Sequence, residues 1–239
     1  MAAVASEKAL HSVQRLYLAL LDAFPAYVQD FEAKWQTWQL ATASLSDPSA
    51  WPSAPGFDAL VALGPKAIPA VLQCLASNQD DAKAVYLYNK LESDLDYQTD
   101  ANADLSQQVC SVLEKNFIRN RAIRNALLDW AEHCDMVSRQ SSSVFYTECE
   151  EYDELVRLGP CVIPQLMLQY KKKDGLLFAY ELLHEILWGY QTGLQTIFMD
   201  REYNMWAEWF EKKSYDQAPQ YYRRFPARQD EAEGGFSAS

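Results

Sequence analysis

The sequence predicts an all-α fold: a short α-solenoid of two tandem helical units, with a capping helix at each end. The first observation behind this prediction is a repeat. The segment at 57–69, which reads FDALVALGPKAIP, returns 95 residues later at 152–164 as YDELVRLGPCVIP. The second is that the chain has only 8 Gly in 239 residues and few long β-branched runs, which argues against a β architecture. A repeated segment of this kind indicates stacked structural units.

The repeat extends beyond this segment in the same register. The same offset places Trp35 on Trp130 and Ala84 on Ala179 without a gap. Two stretches that share a register over this span indicate an internal duplication.

A helix is predicted ahead of the first unit, from Ser6 as its N-cap to an interruption near Pro25. A second helix is predicted from Tyr27 to about Leu45. The segment at 46–55 is predicted to be a loop, because its prolines remove backbone donors and restrict the residues before them.

A Leu-Gly-Pro turn ends one helix and begins the next in both copies. Gly64 and Gly159 permit a left-handed C-terminal cap, and Pro65 and Pro160 suit the first turn of a helix, where the missing N–H has no intrahelical acceptor. Further helices are predicted at about 66–77, 81–93, 105–117, 120–138, 150–158, 161–171, 174–190 and 199–213.

These elements predict one helical-repeat domain at 1–216. One unit cannot bury its apolar face alone, so the two units are expected to stack. The tail at 217–239 is rich in Pro, Gly, Ser and charged residues and is predicted to be disordered. Within the domain, unit one covers about 27–95, unit two about 120–190 and the C-terminal cap about 198–214.

The string Leu-Gly-Pro-x-x-Ile-Pro, followed by an apolar helix, resembles the turn and second helix of HEAT-like repeats. With Trp130, Tyr152 and the late pair Trp206 and Trp209, the chain resembles helical-repeat proteins of largely unassigned function, including fungal proteins, over about 30–213. Some fungal proteins of this appearance accompany specialised-metabolite pathways, so the resemblance implies a small-molecule role. It carries over no catalytic residue.

The composition excludes several classes of partner. A net charge of −12 and a pI near 4.7 oppose binding to nucleic acid or to an anionic membrane. The one basic stretch, from Lys115 to Arg124, is predicted to be a solvated helix face. No stretch reaches the roughly 18–20 apolar residues that span a bilayer, and the N-terminus does not read as a signal peptide. The 5 widely spaced cysteines favour a reducing, cytoplasmic location.

Glu181, His184 and Trp188 form the strongest candidate site, since they fall at i, i+3 and i+7 on one face of a predicted helix. A carboxylate one turn from an imidazole can hold its tautomer and raise its basicity, as general acid–base catalysis requires, so Glu181 and His184 are the candidate catalytic residues. At the aligned positions the first copy has Tyr, Asn and Ser. The alternative is a polar stripe in which Glu181 satisfies His184.

Aromatic residues with a few polar groups indicate where a ligand would bind. Most aromatic side chains are expected in the core, and the rest are expected to line a pocket between the units. His133 stands where the first copy has Trp38, so the second copy has gained a titratable group here too. The predicted ligand-binding residues are Trp188, Trp130, His133, Ser141, Tyr146 and Tyr180.

No cofactor or metal is expected, because the sequence lacks His-Glu-x-x-His, paired Cys-x-x-Cys and a glycine-rich nucleotide loop. Two functions remain. In the first, the protein binds a small apolar molecule and acts as a cofactor-independent cyclase or isomerase, with His184 and Glu181 handling protons. In the second, it is a non-catalytic scaffold for a partner protein. A closed aromatic cavity favours the first function and an open acidic groove favours the second.

Overall fold

The computed structural model describes residues 4–79, 81–137, 144–172, 176, 178–193 and 199–220, and only the backbone of 199 and 200. Within these ranges 77% of the residues are helical and there is no β-strand, which confirms the all-α prediction. The described helices are α1 (Glu7–Ala23), α2 (Pro25–Ala41), α3 (Phe57–Val61), α4 (Ile68–Ser77), α5 (Ala82–Leu91), α6 (Leu105–Met136), α7 (Val144–Thr147), α8 (Glu150–Leu158), α9 (Ile163–Lys172), α10 (Ala179–Trp188) and α11 (Met199–Lys212). Short 3₁₀ segments cover Pro48–Ser53, Gly64–Ala67, Gly159–Val162 and Tyr215–Gln217.

The first two helices begin as the sequence predicts. The Oγ of Ser6 accepts a hydrogen bond from the N–H of Ala9 at 3.2 Å, which caps α1. Pro25 occupies the first turn of α2, where proline is tolerated. The helix α2 ends at Ala41, earlier than predicted, and a 3₁₀ segment lies within the predicted loop at 46–55.

The long helix α6 contradicts one prediction. The sequence predicts separate helices at 105–117 and 120–138, whereas α6 runs for 32 residues without a break. No glycine or proline lies between Leu105 and Met136 to interrupt the hydrogen-bond ladder. In the first copy Pro25, which aligns with Asn120, begins a separate helix at this position. No helix in the described ranges is both long enough and apolar enough to span a membrane.

The glycines of both Leu-Gly-Pro turns have positive φ, as the sequence predicts. Gly64 has φ of 66° and Gly159 has φ of 70°, values that favour glycine. Gly159 combines this φ with ψ of −151°, so it is not the left-handed helical cap that was predicted. Their surroundings differ. A Cβ at Gly64 would lie 2.5 Å from the ring of Tyr215, whereas a Cβ at Gly159 would meet nothing within 4 Å. Only the first turn therefore also needs glycine for the close approach of another segment.

Lys66, in the first of these turns, is fully buried and connects the turn to the end of α11. Its Nζ donates hydrogen bonds to the carbonyls of Trp209 (3.0 Å), Phe210 (3.0 Å) and Lys213 (2.7 Å). Its own backbone carbonyl accepts a hydrogen bond from the hydroxyl of Tyr27 at 2.7 Å. The lysine thus supplies donors at a helix C-terminus, where carbonyls lack intrahelical partners.

Two apolar clusters fill the interior. One is built mainly from α1 to α5 and the start of α6, and the other from the rest of α6, α8 to α11 and the junction of α1 with α2. The helix α6 contributes to both: Val112 and Leu113 lie in the first cluster, and Leu127 and Trp130 lie in the second.

Candidate functional site

The two predicted catalytic residues, Glu181 and His184 on α10, are both fully buried. The carboxylate of Glu181 accepts hydrogen bonds from the N–H and the hydroxyl of Thr192, at 2.6 and 2.8 Å. The Nδ1 of His184 lies 2.8 Å from the carbonyl of Tyr190, which accepts its proton. Burial lowers the pKa of His184 below its ordinary value, which favours the neutral ring. These contacts hold the segment 190–193 against α10.

The two other predicted residues of α10 lie apart from these contacts. The indole Nε1 of Trp188 donates to the carbonyl of Pro219 at 3.2 Å, and Ala218 beside it is buried, so the start of the predicted tail packs on the protein. The rest of that tail, 221–239, lies outside the described residues. Tyr180 is buried, with its ring centroid 6.0 Å from that of Phe178.

Three of the predicted ligand-binding residues come together around α7. The Nε1 of Trp130 donates to the carbonyl of Tyr146 at 2.7 Å, and the Nε2 of His133 lies 2.9 Å from the carbonyl of Phe145. The ring of Tyr146 packs on that of Phe178, with centroids 4.2 Å apart. The predicted residue Ser141 lies outside the described part of the chain.

His133 also lies next to two side chains that the sequence analysis did not select. Cys149 precedes α8 as its N-cap residue, and Glu151 lies in the first turn of α8. His133, Cys149 and Glu151 each offer one metal-ligand atom, and these atoms lie within 4.8 Å of one another. Sequence spacing gives no sign of this group, because His133 lies on another helix and the three match no metal motif.

A groove of about 400 Å³ opens between α1, α6 and α9, and sequence reasoning missed it. Its rim carries the exposed cations Arg15, Arg121, Arg124 and Lys172. No Asp, Glu, His or Cys lies among the described residues that line it. The remaining lining residues are Ser12, Leu16, Ala19, Phe117, Asn120, Gln165, Leu168 and Gln169.

The floor of this groove is half-buried and mixes apolar and amide groups. The Nε2 of Gln165 contacts the backbone carbonyl and the Oδ1 of Asn120, each at 3.2 Å. The Nδ2 of Asn120 is buried and has no hydrogen-bond partner among the described residues. The guanidinium of Arg121 lies over the ring of Phe117, with its central carbon 6.0 Å from the ring centroid.

Within the described part of the chain, the four rim cations have no acidic partner. The ion pairs between described residues join Lys34 to Asp30, Arg119 to Glu92, Arg157 to Glu154 and Lys213 to Glu208, and none of them involves Arg15, Arg121, Arg124 or Lys172. The chain has 33 acidic and 21 basic side chains, so a groove whose described lining has cations and no acids is a local reversal of charge.

Arg119 overturns part of the prediction that the basic stretch is a solvated face. It is 3% exposed and donates to the carboxylate of Glu92 at 2.6 Å, and its guanidinium lies 4.0 Å from the ring centroid of Tyr97. A smaller groove of about 170 Å³ lies over this ion pair, between the two Leu-Gly-Pro turns. The carboxylate and ring partners draw Arg119 inward, whereas Arg121 and Arg124 point outward.

A third groove, of about 370 Å³, lies between α1, α2 and α4 and has the opposite character. It combines the aromatic residues Tyr17 and Trp35 with the acids Glu32 and Asp81. The hydroxyl of Tyr17 donates to the Glu32 carboxylate at 2.5 Å. This carboxylate is therefore already engaged within the protein.

Comparisons with protein-family models, with curated proteins and with solved structures found no match to this chain. The fold and the groove define an all-α protein with a cationic surface groove. Function is therefore argued from the residues of the site.

Proposed function

We propose that this protein binds a small anionic molecule in the groove between α1, α6 and α9. The observation that carries the proposal is a set of four cations that three helices bring to one rim and that form no ion pair with any described residue: Arg15, Arg121, Arg124 and Lys172. Like charges held together repel one another, and an anion bound between them removes that repulsion.

The lining indicates the chemistry of the ligand. Guanidinium groups bind carboxylate and phosphate through paired hydrogen bonds, so the anionic group is expected at the rim. Leu16, Leu168 and Phe117 offer apolar contact, and the orphan Nδ2 of Asn120 offers a donor. A volume of about 400 Å³ falls within the range of small-molecule sites. The ligand class is thus a carboxylate or phosphate with an apolar body.

The groove supports binding rather than catalysis. General acid–base catalysis needs a group that titrates near the working pH, and the described residues that line the groove include no His, Cys, Asp or Glu. The cyclase or isomerase chemistry predicted for Glu181 and His184 is a separate proposal. Neither residue lines the three grooves described above.

A HEAT-like stack of two units belongs to the same proposal. In support of it, both Leu-Gly-Pro turns have a glycine with positive φ followed by a 3₁₀ segment and a helix. The carbonyls of the aligned residues Trp51 and Tyr146 both accept an indole N–H, although the donors, Trp38 and Trp130, are not aligned with each other.

A fluorescence titration with anilinonaphthalene sulfonate, an apolar aromatic anion, tests the groove. We expect saturable binding that weakens as salt is added, since the rim cations are exposed. The double variant Arg121→Gln/Arg124→Gln should bind about tenfold more weakly, because exposed charge contacts contribute about 0.2–1 kcal/mol each.

The matched control is Lys8→Gln/Arg157→Gln, which removes the same charge from exposed positions outside the groove. Equal affinity in the groove variant and this control would contradict the proposal. Binding of a polyglutamate peptide that depends on Arg121 and Arg124, without binding of the dye, would favour the scaffold function instead.

A further inference from the structure

Three side chains with metal-ligand atoms converge where α6 ends and α8 begins. His133 lies in the last turn of α6, Cys149 is the N-cap residue of α8, and Glu151 follows in its first turn. All three are half-buried, and one ligand atom from each lies within 4.8 Å of the others. The convergence depends on tertiary packing and not on one local motif.

The set of donors matches one metal better than others. Imidazole nitrogen, thiolate sulfur and carboxylate oxygen are together the ligands of Zn²⁺, whereas Ca²⁺ and Mg²⁺ prefer oxygen alone. Ligand atoms around a tetrahedral zinc are about 3.5 Å apart, as follows from metal–ligand distances of about 2.0–2.3 Å. Side-chain rotations that move the ligand atoms by roughly 1 Å therefore allow all three atoms to bind one ion. Three protein ligands leave a fourth position for water.

A hydrogen bond already orients the imidazole. The Nε2 of His133 lies 2.9 Å from the carbonyl of Phe145, which can only accept, so the proton is on Nε2. A neutral ring with this tautomer keeps a lone pair on Nδ1. Metal-binding histidines commonly donate their second ring N–H to a backbone carbonyl in this way.

The internal duplication gives an independent observation. The positions aligned with His133, Cys149 and Glu151 in the first copy are Trp38, Ala54 and Gly56. None of these side chains offers a ligand atom of this kind. They lie close together as well, since a Cβ on Gly56 would be 3.1 Å from the backbone nitrogen of Trp38. The second copy thus has ligand residues at three neighbouring positions where the first has none.

We propose that His133, Cys149 and Glu151 form a zinc-binding site in the second copy. Binding replaces the proton on the Sγ of Cys149 with the metal, and that proton leaves to solvent. The site is separate from the cationic groove and does not depend on the function proposed for it.

Equilibrium dialysis against zinc chloride under a phosphine reductant, followed by elemental analysis of the protein, tests the site. We expect the unmodified chain to retain one zinc per molecule and the variants His133→Ala, Cys149→Ser and Glu151→Gln to lose it. The matched controls are Cys110→Ser, a half-buried cysteine of α6, and Glu150→Gln, an exposed neighbour on α8. Both controls should retain the metal.

Substitution with cobalt identifies the ligand directly. A thiolate-to-cobalt absorption band should form in the unmodified chain and in Cys110→Ser, and should be absent in Cys149→Ser. Far-ultraviolet circular dichroism of the metal-free proteins confirms that each variant is folded. No retained zinc in the unmodified chain, or equal retention in folded variants of the three ligands, would overturn the proposal.

Discussion

The buried lysine of the first Leu-Gly-Pro turn leads to a pH-dependent prediction. Lys66 is fully buried, and among the described residues the hydrogen-bond partners of its ammonium group are the backbone carbonyls of Trp209, Phe210 and Lys213. The substitution Lys66→Met keeps most of the side-chain volume and removes the ionisable group. The comparison of the two proteins therefore isolates the titration of one amine.

The magnitude follows from the pKa of Lys66 in the two states. Burial lowers it from 10.5 to about 7 in the folded protein, and the nearby Asp30 only partly opposes this. Between these two pKa values the unfolded chain binds a proton that the folded chain has lost, so the free energy of unfolding rises with pH. From pH 7 to pH 9 the unmodified protein should gain about 2 kcal/mol relative to Lys66→Met.

Urea unfolding at several pH values in this range, followed by far-ultraviolet circular dichroism, measures the difference. The control is Lys8→Met, at an exposed position of α1. Its free energy of unfolding should change with pH in parallel with that of the unmodified protein. Titration of the cysteines contributes equally to the pH dependence of the free energy of unfolding in all three proteins, so it cancels in the comparison. Parallel profiles for the unmodified protein and Lys66→Met, or a difference that shrinks as pH rises, would refute the reasoning.

Three further predictions concern stability. Gly64→Ala should lower the free energy of unfolding, measured in urea, clearly more than Gly159→Ala. Both substitutions place a Cβ on a residue with positive φ, which costs about 1–2 kcal/mol, and only the first also collides with an aromatic ring. Equal losses of stability would contradict this. Arg119→Met should destabilise the protein by about 3–5 kcal/mol, since it leaves the buried carboxylate of Glu92 without its ion-pair partner. The added change Glu92→Gln should restore much of that loss. Additive losses in the double-mutant cycle would exclude energetic coupling between the two residues. His184→Ala should destabilise by about 1–3 kcal/mol through its lost hydrogen bond; an unchanged melting temperature with loss of ligand turnover would instead support the predicted catalytic role.

The sequence predicts local structure well where the backbone itself imposes the constraint. Gly64 and Gly159 are examples, because a helix end with positive φ favours a residue without a Cβ, and a glycine in the sequence reveals it. The break predicted near residue 118 is wrong for a related reason. The sequence contains no glycine or proline there, so the helix continues, and burial of Arg119 beside Glu92 supports it.

The candidate sites were harder to predict because they depend on packing between distant segments. The cationic groove joins Arg15 and Lys172 to Arg121 and Arg124, and no sequence pattern links the first pair to the second. The burial of His184 was likewise unpredictable, since its partner carbonyl lies in a segment beyond the helix. Alignment of the two copies was the one available signal, because it marks His133 as a change from Trp38.

The unbroken helix α6 also bears on how this protein unfolds. At about 1.5 Å per residue its 32 residues form a rod of about 48 Å. One end of the rod is buried in the first apolar cluster and the other end in the second, with no loop between them. Loss of either cluster would expose half of a helix whose stability comes mainly from tertiary packing. The two parts of the molecule built on these clusters should therefore melt in one cooperative transition and not as two independent ones.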